Sequence, residues 1–400
     1  MGTEIQGAEH IETSVPAPVH ILYGLQFHLH RLKILRRALG LAYRSYPTLA
    51  EMRAALRGLR AVIRENDRIR HIRKAVLVEG RFFPLMSFPG GVSPAHDVFI
   101  LNELHKAVPI PGHTQGLLLM ILAMTKKCSL QCEHCFEWDQ LNGKEQLTVA
   151  DLLHIIQKFQ DRGVAQIELS GGEPLNRFDD LLEILEKSNT TASDFWILSS
   201  GYRLTAEKAQ SLKNVGLTGV SISLDHWDAA EHDRFRGMKG SFEWAKAAIL
   251  HARAAGMVTG LSLTPVKSFC TPEHLFRFAE LARSWGVHFI RILEPRAVGH
   301  FEGQDVELNT EELDVIESFA RTMQLDAHYR QYPIIDYYGT YQRAVGCSGA
   351  GERYLYIDTE GDYHACPFCR NKCGSAVHNS IEEGIKAMQS ACGCHAFKTV

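Results

Sequence analysis

Three cysteines within eight residues, Cys128, Cys132 and Cys135, lie in the stretch Gly116 to Glu137 (GLLLMILAMTKKCSLQCEHCFE) and constrain this chain more than any other feature. The stretch opens with an apolar run, Leu117 to Met124. That run has the length of a buried strand and falls far short of the roughly 20 residues of a membrane span. Three thiolates on one loop can hold three irons of a four-iron cluster, because thiolate is the natural iron–sulfur ligand. The loop has no fourth cysteine, so one iron would keep an open coordination position of the kind catalytic metal centres use. Zinc is the competing reading, with His134 as the fourth ligand.

Nine of the ten cysteines fall in two clusters, a distribution that points to metal binding in a reducing cytoplasm rather than to disulfides. At 400 residues, 45% hydrophobic and 22% charged, the chain is expected to be globular with two or three domains. A net charge of −3 gives no overall attraction to nucleic acid. Residues 31–74 depart from that balance: they carry thirteen Lys and Arg against Glu51, Glu65 and Asp67, a net of +10. A solvated basic face is the ordinary reading. Docking on an acidic partner, a phosphorylated substrate or an anionic membrane surface is the alternative.

From His20 to Lys74 leucines recur at helical steps, and Pro47 should divide the run into two helices. Ala75 to Phe83 alternates like a strand, and Phe88 to Gly91 reads as a turn. From Gly116 the pattern becomes strand–helix. Strands are expected near 117–124, 165–170, 194–199, 219–224, 258–264 and 288–293, with amphipathic helices between them, the spacing of parallel βα units.

Strand, C-x3-C-x2-C and then Phe136 resembles the cluster loop of the radical S-adenosylmethionine (SAM) enzymes. About 35 residues further on, Ser170-Gly171-Gly172-Glu173 resembles the family's glycine motif, whose backbone and acid hold the SAM amino group. The serines of Ser199-Ser200-Gly201, the Ser223-Leu-Asp225 strand end and the stretch His232 to Gly237 are also similar to family patterns. The resemblance implies Phe136, Ser170, Gly171, Gly172, Glu173, Ser199, Ser223 and Arg236 as SAM contacts, the last two at the carboxylate, and places Arg296 near the mouth. It implies a [4Fe-4S] cluster on Cys128, Cys132 and Cys135 with SAM at the open iron. It also implies a reductant such as flavodoxin or ferredoxin, and an α/β fold built on a partial (β/α)6 TIM-like barrel over residues 113–300. A mostly helical domain (1–112) would precede the barrel, and a helical connector (301–346) would follow it.

The last 54 residues contain Cys347, Cys366, Cys369, Cys373, Cys392 and Cys394, with a hairpin expected across Tyr354 to Tyr363. Cys347, Gly361 and Cys366 in that order resemble the SPASM and Twitch extensions, which implies an auxiliary [4Fe-4S] cluster within residues 347–400. A structural zinc site is the alternative. The resemblance implies a cytoplasmic oxidoreductase that takes a hydrogen atom from a peptide or protein side chain. The competing expectations are a small-molecule substrate, such as a lipid or tetrapyrrole precursor, and an electron carrier that never cleaves SAM.

Overall fold

The computed structural model describes residues 18–391. β1 (Ile21–Tyr23) leads into α1 (Gly24–Ser45), and Pro47 ends the run as expected. Thr48 then starts α2 (Leu49–Ile69) in a capping box with Glu51. The stretch read as one strand is instead a hairpin, β2 (Lys74–Val78) and β3 (Arg81–Phe83). Glu79 and Gly80 both take positive φ, 49° and 79°, which is the two-residue turn that matches strand twist. α3 (Pro94–Ala107) follows, capped by the Ser93 side chain.

The six expected strands are all present and parallel: β4 (Leu119–Ala123), β5 (Gln166–Ser170), β6 (Asp194–Ser199), β7 (Gly219–Ser223), β8 (Val258–Leu263) and β9 (Phe289–Ile292). Between them run α4 (Val149–Arg162), α5 (Phe178–Lys187), α6 (Ala206–Asn214), α7 (Ala229–Arg236), α8 (Ser241–Ala254) and α9 (Pro272–Ser284). The connector is not purely helical. Between α10 (Thr310–Leu325) and α11 (Gly339–Val345) lies β10 (Ile334–Tyr337), a seventh parallel strand too short to show a period. The C-terminal hairpin, β11 (Tyr354–Ile357) and β12 (Tyr363–His364), is present and is not separate from the barrel. β11 pairs parallel with β4 through Tyr354–Leu119 to Ile357–Leu122. α12 (Ile381–Ala391) ends the described chain. The sheet is open, running from β10 through β9 down to β4 and on to β11 and β12, so the fold is a partial barrel with hydrogen-bonded additions at both edges.

The N-terminal region plugs the N-terminal end of this barrel. Met86 is fully buried, its carbonyl accepts from Gln166 Nε2 (3.3 Å), and a Cβ on Gly260 would lie 2.4 Å from its sulfur. Asp194, the first residue of β6, binds Arg81 and the Gly90 amide, and Asp336 of β10 binds Arg70 and the Ser87 amide. Phe27, Phe82, Phe83 and Met86 share one apolar cluster with Trp196, Val258, Phe289 and Ile334 of the barrel strands.

Candidate functional site

With one end plugged, the other end, where the strands finish, is left for chemistry, and the cysteine loop leaves β4 there. Neighbouring strand ends hold the loop by its backbone. At the β5 end, Gly172 N donates to Thr125 O and Glu173 N to Lys127 O, both at 2.7 Å. In the middle, Gln131 N and Glu133 N donate to the Arg236 and Phe235 carbonyls at the end of α7, each at 3.0 Å. Beyond β9, His300 N donates to Cys135 O (2.9 Å) and its Nδ1 lies 2.9 Å from Cys132 O. His300 also stacks on Trp138, with centroids 3.8 Å apart. Asn142, in left-handed geometry at φ 58°, exchanges two hydrogen bonds with the Cys128 backbone.

The glycine motif packs tightly on the cysteine loop. A Cβ on Gly172 would meet Lys127 O at 2.4 Å, and one on Gly171 would meet Thr125 O at 2.5 Å. The close approach the glycines permit is therefore to the cysteine loop itself. Glu173 is almost fully buried and accepts from Ser199 Oγ (2.7 Å), Ser200 N (2.8 Å), Ser200 Oγ (2.5 Å) and Leu175 N (3.1 Å). Its carboxylate ties the β5 and β6 ends together, with its acceptor positions taken. Burial pushes its pKa up, and the Ser200 and Ser199 hydroxyls oppose that. The Ser170 carbonyl accepts from Met124 N (2.9 Å), and Ser223 ends β7 in register with Ser262 of β8.

Arg236 has partners within the chain as well. It is buried, with one terminal nitrogen 3.4 Å from Cys132 Sγ and the other 2.6 Å from Asp225 Oδ2. Asp225 in turn lies 3.3 Å from His134 Nε2, so the histidine that zinc would use faces a carboxylate. Burial alone would raise the Asp225 pKa, but Arg236 and His134 outweigh it and hold the carboxyl well below the usual range. Arg296 pairs with Glu294 at 3.2 Å.

Burial, with smaller contributions from neighbouring thiols, pushes Cys128 to about 11 and Cys135 to about 12. Cys132 is raised by burial against the opposing Arg236 charge. Three thiols on one loop whose pKa values burial raises suit a cationic centre, whose coordination deprotonates them. Arg236 Nε is a buried nitrogen with no hydrogen-bond partner among the described residues, a further donor beside that centre. The residues therefore fit an iron–sulfur cluster.

Of the C-terminal cysteines, Cys392 and Cys394 lie outside the described residues. Cys366 Sγ is 3.5 Å from Cys369 Sγ, and Gly349 N donates to Cys347 Sγ at 3.4 Å. The Tyr354 hydroxyl is pushed well above its ordinary value, first by burial and then by the Cys366 and Cys347 thiols, with Tyr338 and Cys369 adding to it. Cys373 belongs to the main apolar core, its sulfur 3.5 Å from Asn371 O. The two cysteine groups are joined through Glu137, which accepts from Tyr356 Oη (2.6 Å) and pairs with Arg370 (3.2 Å). Phe136 packs edge-on against Tyr356 and Phe368. Glu137, Asn142, Trp138 and His300 carry no sequence signal, because their partners lie far along the chain or act through backbone atoms.

Residues 122–282 match the family model described as the radical SAM superfamily. These residues form a radical SAM domain. The chain is 27% identical over 289 residues to an AdoMet-dependent heme synthase of Nitratidesulfovibrio vulgaris (strain Hildenborough), covering 66% of this chain and 77% of that protein. It is 28% identical over 272 residues to the mycofactocin maturase MftC of Mycobacterium tuberculosis, covering 65% of each. The chain thus spans just under two thirds of the maturase's length. Among solved structures, Streptococcus suis SuiB bound to its precursor peptide SuiA superposes with a TM-score of 0.55 at 14% identity, over 66% of this chain and 64% of that one. That likeness speaks to the fold. The radical SAM domain makes this chain an enzyme whose cofactors are a [4Fe-4S] cluster and SAM. Among the described residues no helix is long and apolar enough to cross a membrane.

Proposed function

We propose that this radical SAM enzyme oxidises a peptide or protein side chain, with an auxiliary iron–sulfur cluster close to the first. The observation that carries the reading is the placement of Cys128, Cys132 and Cys135 at the strand ends, braced through Glu137 against a second cysteine group. Cys128, Cys132 and Cys135 would hold the first cluster, and Cys347, Cys366 and Cys369 belong to the auxiliary set. With SAM bound, the first cluster supplies one-electron cleavage of the sulfonium and so a carbon radical that takes hydrogen from the substrate.

The chain's own part is positioning and exclusion of water. The glycine-motif backbone fixes the cysteine loop, and Glu173 holds Ser199 and Ser200 at the mouth. Arg236 presents a cation to Cys132 and keeps a buried nitrogen beside it. Ser223 and Arg236 remain our assignment for the SAM carboxylate, since the guanidinium has donors beyond those used on Cys132 and Asp225. A peptide substrate is supported by the maturase relative and by the peptide-bound structural neighbour. The heme synthase relative supports a second reading, a tetrapyrrole.

The test is anaerobic turnover of the reduced protein with SAM, read as 5′-deoxyadenosine release above the substrate-free rate. Peptide pools and iron-tetrapyrroles form separate arms. Stimulation by peptide with loss of hydrogen from the peptide mass supports the first reading, and stimulation by tetrapyrrole alone replaces it with the second.

A further inference from the structure

α1 is apolar on two faces. Phe27, Ala38 and Leu41 are buried against the body of the protein. On the opposite face, Leu25, Leu29, Leu32, Leu35, Leu39 and Tyr43 are each between 49% and 74% exposed. Their three- and four-residue steps form one stripe along 22 residues of helix. Eight of the twelve large apolar side chains exposed among the described residues lie between Tyr23 and Leu49, so this is one patch and not scattered surface. The neighbouring helix α2 carries a stripe of a different kind. Arg53, Arg57, Arg60, Arg64 and Arg68 are all exposed, opposite a buried face of Ala55, Leu59 and Ile69.

We propose that α1 and α2 dock this chain on an anionic lipid surface, with the leucine stripe of α1 entering the headgroup–acyl boundary and the arginines of α2 engaging lipid phosphates. Charge complementarity selects this occupant. α1 contains five Lys and Arg and no acidic residue; Arg31 and Arg37 pair with Asp67 and Asp97, and pairing with α1 of a second copy would still set the exposed Lys33, Arg36 and Arg44 against their own like charges. Nucleic acid would satisfy the arginines and leave the leucines in water. A bilayer covers both, burying the leucines while Lys33, Arg36 and Arg44 reach the headgroups by their long stems. α1 packs on β1 and β2, which plug the N-terminal end of the barrel, whereas the cysteine loop lies at the opposite end. The proposal stands independently of the substrate assignment.

The test is co-sedimentation of the full chain with vesicles of phosphatidylcholine, alone or mixed with phosphatidylglycerol. Pelleting is expected only with the anionic vesicles. It should weaken as salt rises from about 0.1 M to 1 M, which shortens the Debye length from about 10 Å to about 3 Å. The combined variant Leu29→Glu, Leu32→Glu, Leu35→Glu alters only exposed positions and should lose about ten-fold or more of the binding, with an unchanged circular dichroism spectrum. Should that variant misfold, Leu32→Trp replaces it: its added fluorescence should shift to the blue with anionic vesicles. No pelleting at low salt overturns the proposal. So does a folded leucine variant that binds as well as the parent, or a Leu32→Trp emission that does not move. A dimer in solution that the leucine substitutions disperse would assign the stripe to a second copy instead.

Discussion

Arg236 reaches Cys132 Sγ with one nitrogen and Asp225 with another, and both contacts are buried. Replacing it with Gln removes a cation next to the cluster sulfur. The reduced cluster carries more negative charge than the oxidised one, so its midpoint potential should fall while the three thiol ligands still bind iron. Redox-poised electron paramagnetic resonance checks this, and an unchanged potential would mean that Arg236 does not sense the cluster. A second prediction at this scale concerns pH. Burial lowers His96 to about 4 and His288 to about 3, the latter accepting from Thr259 N at 3.0 Å. Both folded-state values lie below the ordinary value near 6.5. The unfolded chain therefore binds more protons between about pH 6.5 and 4, and stability falls with decreasing pH through that window. Each histidine contributes on the order of 1 kcal/mol per pH unit. Thermal unfolding should be flat above about pH 7 and drop steeply below 6, with a shallower drop in His288→Asn. The cysteines were legible in the sequence because spacing alone brings them together. Asp225, His134 and Arg236 were not legible as one ion network, since His134 and Asp225 lie 91 positions apart and the link exists only when β7 and α7 fold over the loop.

The strand ends act on the cysteine loop as clamps, and their glycines are the tightest points. From the sequence, a bulky residue at Gly172 should weaken SAM binding and leave iron content intact. The 2.4 Å approach to Lys127 O changes that expectation: Gly172→Leu must displace the loop, so iron content and SAM affinity should fall together. Gly299→Ala should act in the same direction, because its Cβ would meet Cys135 O at 2.3 Å with φ at 58°. Iron assay and SAM binding on reconstituted variants check both, and full iron with weakened SAM binding would restore the ligand-contact reading. Most elements were visible beforehand. Pro47 divides two helices, and six apolar runs became six parallel strands. Alternation could not show the β2–β3 hairpin, because Glu79 and Gly80 turn the chain without interrupting the apolar rhythm on either side. The four residues of β10 were too few to separate from the helices that flank them.

Across the whole molecule, the N-terminal region acts in part as a barrel plug. The buried pair Arg70–Asp336 joins the end of α2 to β10, and Asp336 also holds the Ser87 amide. Arg70→Met leaves that carboxylate buried without its cation and should cost about 3–5 kcal/mol, read as a lower denaturant midpoint. No sequence period could announce this contact, because it joins residues 266 positions apart. The central claim is that the loop bearing Cys128, Cys132 and Cys135, clamped at the open end of this barrel, cleaves SAM. The most direct measurement is chromatography of anaerobically reconstituted, dithionite-reduced protein incubated with SAM, for the parent chain and for Cys132→Ala. The account predicts 5′-deoxyadenosine and methionine from the parent and neither from the variant. A parent that binds its iron yet leaves SAM intact, or a variant that still cleaves it, would contradict the account.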